Sequence, residues 1–165
     1  MKYLYIGKIV NTHGIKGEIR LLSNFKYKDK VFTNGFKIYI GKDKIKEEIV
    51  NYRVHKQFDM ICLKGINNIN DVLKYKGLKV FINQEDLVFE KDEYLDEELI
   101  DLVVMCNDKE YGIVSDIEIN DINDLLVIQR DDEEYLIPYK KELIKSIDFD
   151  KKIIVFEEVV EGLLK

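Results

Sequence analysis

Short apolar runs separated by turn residues dominate the chain. The runs are rich in Ile, Val, Tyr and Phe, which favour strands, and Gly, Asn and Asp bound them, with a single proline at Pro138. In the first half the pattern predicts strands at 3–10, 17–22, 36–40, 45–54, 60–64 and 78–82. In the second half it predicts strands at 102–106, 110–119, 124–130, 135–137 and 153–156.

One segment of the first half has a helical pattern instead. Residues 67–77 begin with Asn and Asp, which cap helices, and end at Gly77, which stops them. Closure removes the exposed strand edges that invite aggregation. Many short strands with one helix therefore predict an all-β fold with a closed antiparallel barrel in the first half.

The strand pattern is interrupted by an acidic stretch at 83–100, which has few β-branched residues. We place the domain boundary there, with a first domain at 1–85, a connector at 86–100 and a second domain at 101–165. A short helical turn is expected near 96–99. Because the strand pattern resumes after it, the second domain is predicted to be another small β-barrel.

Charge divides unevenly between the two halves. Residues 1–85 contain 17 Lys and Arg against 8 Asp and Glu, a net charge of +9, whereas residues 86–165 contain 9 against 24, a net charge of −15. This asymmetry indicates a polyanion such as RNA as partner of the first half and a basic partner for the second. The alternative is that solvated charges are merely scattered unevenly.

The apolar runs and the cysteines bear on location. No apolar run approaches the roughly 18 residues of a membrane span, and the N-terminus enters a strand pattern directly. Cys62 and Cys106 lie far apart in apolar runs without a paired spacing, so we expect reduced core thiols. We expect a cytoplasmic protein that contacts no membrane.

The loop between the first two predicted strands carries the densest set of candidate binding residues. Gly14 and Gly17 can adopt positive φ and allow another backbone to approach, while His13, Lys16 and Arg20 supply hydrogen-bond donors for a phosphate or a base edge. The loop is therefore a candidate RNA contact. The alternative is a hairpin whose glycines satisfy the turn and whose charges are solvated.

The sequence offers few groups of residues that could support catalysis. The two imidazoles, His13 and His55, have no metal-ligand spacing, and the chain contains neither a P-loop nor a Gly-x-Ser-x-Gly elbow. A dyad of Cys62 and His55 can be imagined, but two residues this close along a hairpin are more often structural. The paired carboxylates at 97–98 and 157–158 are interpreted as solvated. We predict no enzymatic activity, no metal and no cofactor.

The acidic connector contains two unexpected side chains. Tyr94 and Leu95 follow Asp92 and Glu93, where a connector is normally polar throughout. A tyrosine within a polar rim is a common binding anchor, so both residues are candidates for binding a partner protein. The alternative is that they dock the connector onto one of the barrels.

Several motifs, in their order along the chain, resemble the RimM family of ribosome maturation factors, also described as small-subunit rRNA processing proteins. The first joins Ile6-Gly7-Lys8-Ile9-Val10 to Thr12-His13-Gly14-Ile15-Lys16-Gly17-Glu18. The remaining motifs are Leu63-Lys64-Gly65-Ile66, Lys76-Gly77-Leu78, Gly112-Ile113-Val114, Asn123-Asp124-Leu125-Leu126-Val127-Ile128, Leu136-Ile137-Pro138-Tyr139, Ile147-Asp148 and Gly162-Leu163-Leu164. The resemblance covers nearly the whole chain.

The resemblance implies a six-stranded N-terminal barrel similar to the second domain of translation elongation factors, followed by a C-terminal PRC-barrel. It implies a non-enzymatic assembly factor that binds the free small (30S) subunit and promotes maturation of its head and processing of 16S rRNA. The implied partners are 16S rRNA and ribosomal protein nineteen of the head, with the factor acting as a monomer.

This sequence departs from the family pattern at two places. Leu95 stands where the family often has a second tyrosine implicated in ribosome binding, and Asp121 and Ile122 replace small residues before an Asn-Asp pair. Two other functions are weighed against assembly. An rRNA-processing nuclease is disfavoured because no acidic cluster suited to two metal ions occurs, and a regulatory PRC-barrel protein leaves the first barrel without a purpose.

Overall fold

The computed structural model describes residues 1–120 and 122–165, so Asp121, one of the two family departures, lies outside the described residues. The chain forms two compact units, Met1–Glu90 and Lys91–Lys165. The division falls inside the segment expected to be the connector. No helix in the described part of the chain has the length and apolarity needed to cross a bilayer.

The first unit is a closed six-stranded barrel, as expected. Its strands are β1 (Tyr3–His13), β2 (Glu18–Leu22), β3 (Lys37–Ile40), β4 (Ile45–His55), β5 (Phe58–Leu63) and β6 (Lys79–Asn83). They follow one another around the ring in the order β1, β2, β5, β4, β3, β6 and pair antiparallel throughout. Each strand was predicted, because the apolar residues that fill the barrel lie in short runs bounded by turn residues.

The helix predicted at 67–77 is two consecutive 3₁₀ turns, Ile69–Asp71 and Leu73–Tyr75. Asn68 caps the first turn, since its side-chain oxygen accepts from the backbone N–H of Asn70 at 2.9 Å. Val72 between the turns has a φ of −116°, which interrupts a continuous helix. Val72 and Tyr75 are buried in the barrel core, so the turns close one end of the barrel.

A one-turn helix that the strand pattern did not predict, α1 (Lys28–Val31), packs on the same barrel. Lys28 Nζ lies 2.7 Å from Oδ2 of Asp59, which is 2% exposed, and the Tyr52 hydroxyl donates to the other carboxylate oxygen at 2.5 Å. Burial and this hydrogen bond raise the pKa of Tyr52. These contacts pair a buried carboxylate and fix α1 against β4 and β5.

The second unit is one six-stranded sheet followed by a short helix. Its elements are β7 (Val103–Cys106), β8 (Lys109–Glu118), β9 (Leu125–Arg130), β10 (Glu133–Pro138), β11 (Ile144–Asp148), β12 (Ile153–Phe156) and α2 (Glu161–Leu164). The strand order is β10, β9, β8, β7, β12, β11. The pairing of β12 with β7 is parallel and the other pairings are antiparallel.

Strand β11 was not predicted, because Lys145 and Ser146 are both exposed and interrupt the apolar alternation between Ile144 and Ile147. The helical turn expected near 96–99 is confirmed as a 3₁₀ turn, Asp96–Leu99. It begins with a reciprocal contact in which the backbone N–H of Leu95 donates to the Glu98 carboxylate at 2.7 Å.

The two cysteines are free, and Cys106 is buried while Cys62 is half-buried. Burial raises the pKa of both thiols, which makes them poor nucleophiles at neutral pH. In the β4–β5 hairpin Cys62 pairs with Asn51, whereas His55 pairs with Phe58. Four residues of strand separate the two side chains, roughly 13 Å, so they do not form a dyad.

Candidate nucleic-acid interface and partner surface

The glycine loop is a tight hairpin between β1 and β2. Gly14 and Gly17 both have positive φ, at +74° and +90°, which favours glycine. A Cβ at Gly17 would lie 3.0 Å from the carbonyl oxygen of Asn68, and the Ile15 carbonyl accepts from the N–H of Ile69 at 2.9 Å. The backbone that approaches Gly17 is therefore this chain's own 3₁₀ turn, while Gly14 faces open space.

Two of the predicted site residues are in direct contact. The Arg20 guanidinium donates to Nδ1 of His13 at 3.1 Å, and it lies 5.0 Å from the centre of the Phe58 ring. The His13 and His55 rings lie 6.1 Å apart. Arg20 is half-buried, and its Nε is the one buried side-chain nitrogen or oxygen without a hydrogen-bond partner among the described residues.

The acid on this face is neutralised by a fork-shaped ion pair. Arg53 on β4 donates from Nε and a terminal nitrogen to the two carboxylate oxygens of Glu18, at 2.9 and 2.7 Å. The hydrogen bond from Arg53 is the main cause of a lowered pKa for Glu18, and His13 and His55 add to it. Arg53 therefore offsets the negative charge of the Glu18 carboxylate beside Arg20 and the two histidines.

Lys16 occupies a different part of the same hairpin. It is exposed at the tip of the turn and lines an open hollow with Lys64, Gly65 and Asn67. Thus the structure brings His13 and Arg20 together, and places Lys16 beside a second lysine. The partners His55, Phe58 and Arg53 were missed in the sequence, although their alternation along β4 and β5 places them on the outer face.

This face combines an arginine stacked on an aromatic ring, a histidine beside it and a lysine at the loop tip. Such a set can contact RNA phosphates without reading the base sequence. The donors are directed outward from strands β1, β2, β4 and β5, which form one continuous part of the barrel. The barrel unit as divided in the structure contains 17 Lys and Arg against 10 Asp and Glu, a net charge of +7.

In the second unit, Tyr94 and Leu95 are core residues, 8% and 3% exposed. The Tyr94 ring lies 5.7 Å from that of Phe149, which is 39% exposed. A groove beside strand β11 is lined mainly by apolar and basic side chains, together with one acid and one serine: Tyr94, Ile144, Ile147, Phe149, Lys91, Lys141, Lys145, Asp92 and Ser146. Tyr94 thus forms the floor of this groove, whereas Phe149 is its accessible aromatic ring.

Tyrosine hydroxyls bind carboxylates in this unit. Tyr139 donates to Asp96 at 2.6 Å, and burial together with hydrogen bonds to Asp96 and Tyr94 raises the Tyr139 pKa. Tyr111 donates to Glu161 at 2.5 Å, which lowers the Glu161 pKa. The unit contains 9 Lys and Arg against 22 Asp and Glu, a net charge of −13, and acids are densest in the β9–β10 hairpin, residues 131–134.

Comparison with known proteins accounts for both units. The RimM N-terminal domain matches residues 4–87, and the RimM PRC barrel domain matches residues 96–160. The chain belongs to the RimM family.

Full-length relatives show the same correspondence. A protein of Staphylococcus haemolyticus is 39% identical over 96% of this chain and 97% of its own length, and one of an Exiguobacterium species is 37% identical over 96% and 95%. Both relatives are named ribosome maturation factor RimM. The N-terminal domain of RimM from Thermus thermophilus, solved in solution, is 17% identical with a TM-score of 0.47, covering 54% of this chain and 98% of that one.

Proposed function

We propose that this chain is a ribosome maturation factor that acts by binding the free small subunit, not by catalysis. The observation that carries the proposal is the match to relatives of that name over almost their whole length and both units. Binding one arrangement of the subunit head more tightly than others shifts the population towards it. We propose that the protein does so as a cytoplasmic monomer.

The basic barrel is proposed to face 16S rRNA. His13, Lys16 and Arg20 are the proposed contacts, and Gly14 and Gly17 shape the hairpin that carries them. The support is a cluster of side chains on the outer face of the barrel, where Arg53 pairs with the Glu18 carboxylate and the Arg20 guanidinium lies beside His13 and Phe58. Contacts of this kind position a protein on phosphates.

The acidic unit is proposed to bind ribosomal protein nineteen of the small-subunit head. The net charge of −13 suits a basic partner, while the groove over Tyr94 offers exposed apolar area at Phe149. Because Tyr94 and Leu95 are buried, their proposed role is to hold the floor of the groove. Local lysines around the groove direct the charge contacts to the acidic hairpin at 131–134 instead.

An rRNA-processing nuclease is the alternative function. The described residues contain no group of three or more His, Cys, Asp or Glu placed to hold a metal ion. A protein that only binds the subunit can still affect rRNA processing, since a subunit whose head assembly has stalled leaves its precursor rRNA uncut by other enzymes.

The test is co-sedimentation of the full chain with purified free small subunits and, separately, with complete ribosomes. We expect binding to the free subunits only, and intact precursor rRNA after incubation with the protein and Mg²⁺. Absence of binding to free subunits would refute the assembly function. RNA cleavage that a point mutation in this protein abolishes would favour the nuclease.

The loop is tested by salt dependence. The double variant Lys16→Ala/Arg20→Ala is titrated with free small subunits at several salt concentrations, beside Lys109→Ala/Lys151→Ala, which removes two exposed charges from the other unit. Each lost phosphate contact lowers the log–log slope by roughly 0.7 to 0.9, so the first variant should show a shallower slope than the wild type. If both variants match the wild type, the hairpin does not contact RNA.

A further inference from the structure

A second outward face of the barrel carries a row of aromatic rings. Tyr5 on β1 pairs with Phe81 on β6, and Phe81 pairs with Tyr39 on β3, so the three rings lie side by side across three strands. Tyr3 joins the row, with its ring centre 5.2 Å from that of Tyr39, and Tyr5 lies 5.9 Å from Phe81. Tyr3 and Tyr5 are 40% and 51% exposed.

Lysines lie directly over these rings. Lys44 Nζ is 4.1 Å from the centre of the Phe81 ring and 5.4 Å from that of Tyr3, and Lys79 Nζ is 5.9 Å from Tyr5. Lys44 reaches the row from the β3–β4 turn, where it has a φ of +51°. Lys8, paired with Lys79 across the strands, adds a further exposed cation.

Two exposed tyrosine rings and the half-buried Phe81 ring, interleaved with cations, match the chemistry of a single-stranded nucleic acid. Base faces stack on aromatic rings, and the phosphates between them take the ammonium groups. A duplex does not offer its base faces, so it gains only the charge contacts. When a base stacks on Phe81, the Lys44 ammonium can move from the ring to the adjacent phosphate.

Acidic neighbours limit where the strand can lie. Asp43 is exposed in the same turn as Lys44, and Asp86 raises the pKa of Tyr39 together with burial, which is the larger cause. Tyr39 is itself only 5% exposed beneath Tyr3. The usable part of the row is therefore Tyr5, Phe81 and Tyr3, where the lysines are.

This face is separate from the His13 hairpin. Strand β6 lies three positions from β5 around the six-stranded ring, so Phe81 and Phe58 are on opposite sides of the barrel. Along β1, Tyr5 is near the start of the strand and His13 is its last residue. RNA binding at the His13 hairpin would therefore not explain the row of rings and lysines around Phe81.

We infer that the outer face of β1, β3 and β6, formed by Tyr3, Tyr5, Phe81, Lys44 and Lys79, is a binding site for single-stranded RNA. The inference rests on the proposed function for its biological setting, an unpaired segment of small-subunit rRNA. Binding of single-stranded RNA is inferred only from the positions of the rings and lysines.

The chain contains no tryptophan, which allows a direct test of stacking. In Tyr5→Trp the full-length protein has a single indole at the proposed site, and a short oligouridylate is added. We expect quenching of the tryptophan fluorescence on binding. The matched control is Leu136→Trp, a position 48% exposed on a strand of the acidic unit, which should not be quenched. No quenching in Tyr5→Trp at concentrations that saturate the wild-type protein would overturn the proposal.

Affinity gives the second readout, by anisotropy of a labelled oligouridylate. Loss of one stacked base costs about tenfold, so Tyr5→Ala should bind about tenfold more weakly and Tyr5→Phe within about twofold of the wild type. Lys44→Gln/Lys79→Gln should weaken binding and reduce its salt dependence, and Leu136→Ala should change neither. Equal affinity of Tyr5→Ala and the wild type would also overturn the proposal.

The assembly function and the aromatic RNA site can be refuted independently of each other. If the wild type co-sediments with free small subunits but Tyr5→Trp is not quenched, the aromatic face is not an RNA site and the assembly function stands. If Tyr5→Trp is quenched but the wild type does not bind subunits, the site stands and the assembly function is wrong.

Discussion

The barrel and the acidic unit differ in the charged groups that lie beside their more exposed aromatic rings. On the barrel, cations lie over ring faces: Arg20 over Phe58 and Lys44 over Phe81. In the acidic unit, tyrosine hydroxyls donate to carboxylates, as Tyr111 does to Glu161 and Tyr139 to Asp96. Both units have exceptions. Arg130 lies over Tyr135 and Tyr111 in the acidic unit, and the barrel has two hydroxyl–carboxylate pairs in its interior, Tyr52 with Asp59 and Tyr75 with Glu47.

The difference determines what each surface can bind. A cation over a ring face keeps its charge accessible, so an incoming phosphate meets both the cation and a stacking surface. A carboxylate bound by a tyrosine hydroxyl keeps its negative charge in a fixed position, which suits the basic partner proposed for this unit. The two units therefore carry surfaces of opposite net charge, so a substitution in one unit can be measured with the other unit as its control.

The largest expected effect is at Gly112 in the acidic unit. Its φ is +122°, and a Cβ there would lie 2.3 Å from the backbone oxygen of Gln129, which cannot move without breaking the sheet. Gly112→Ala should cost about 4 kcal/mol or more of the free energy of unfolding. Hydrogen exchange should rise in peptides from Lys91–Lys165 and stay unchanged in Met1–Glu90.

The matched glycine control is Gly14 on the barrel, with a φ of +74° and nothing within 4 Å of an added Cβ. Gly14→Ala should cost only roughly 1 kcal/mol, from the left-handed backbone alone. If Gly112→Ala also raised exchange throughout Met1–Glu90, the two units would not be independent, and the comparison between them would break down.

The next largest effects distinguish the buried Tyr94 on the floor of the groove from the exposed Phe149 ring. Tyr94 is buried, so Tyr94→Ala should destabilise the acidic unit by roughly 3 kcal/mol through the cavity it leaves. Phe149→Ala should leave the fold intact and weaken binding of ribosomal protein nineteen by about 1–2 kcal/mol, as loss of a partly exposed anchor does. Urea unfolding and titration calorimetry measure the two quantities. Unchanged affinity in Phe149→Ala would exclude the groove as the partner surface.

The smallest effect is a pH dependence of the acidic unit. The hydrogen bond to Glu161, with burial second, raises the Tyr111 pKa from 10.0 to about 12. The folded state therefore holds this proton more tightly than the unfolded state, and the stabilisation is complete below pH 10 and is lost as pH rises towards 12. Unfolding free energy measured between pH 10 and 12 should fall less steeply in Tyr111→Phe. Identical slopes would show that this hydroxyl does not contribute.

The sequence was sufficient for much of the fold but not for the surfaces. Short apolar runs bounded by turn residues predicted the strands of the barrel, because their apolar residues fill its core. It missed β11, whose edge position leaves Lys145 and Ser146 exposed. The row of Tyr5, Phe81 and Tyr39 depends on strand register across the closed ring and on a bulge between Tyr5 and Gly7, neither of which local pattern specifies.

The burial of Tyr94 was equally hidden from local pattern. Its acidic neighbours suggest an exposed connector, whereas its contacts with Phe149 and Tyr139, which are distant in the sequence, place the ring in the core of the acidic unit. The stacking of Arg20 on Phe58 needs the pairing of β2 with β5.

Cross-linking on the assembled complex tests the central claim, that the barrel contacts RNA and the acidic unit contacts protein. The full chain is bound to purified free small subunits, irradiated to join RNA to protein, and separately treated with a carboxylate-to-lysine cross-linker. Peptides are then identified by mass spectrometry. We expect RNA-linked peptides from Met1–Glu90 and protein-linked peptides from Lys91–Lys165. RNA-linked peptides confined to Lys91–Lys165 would contradict it.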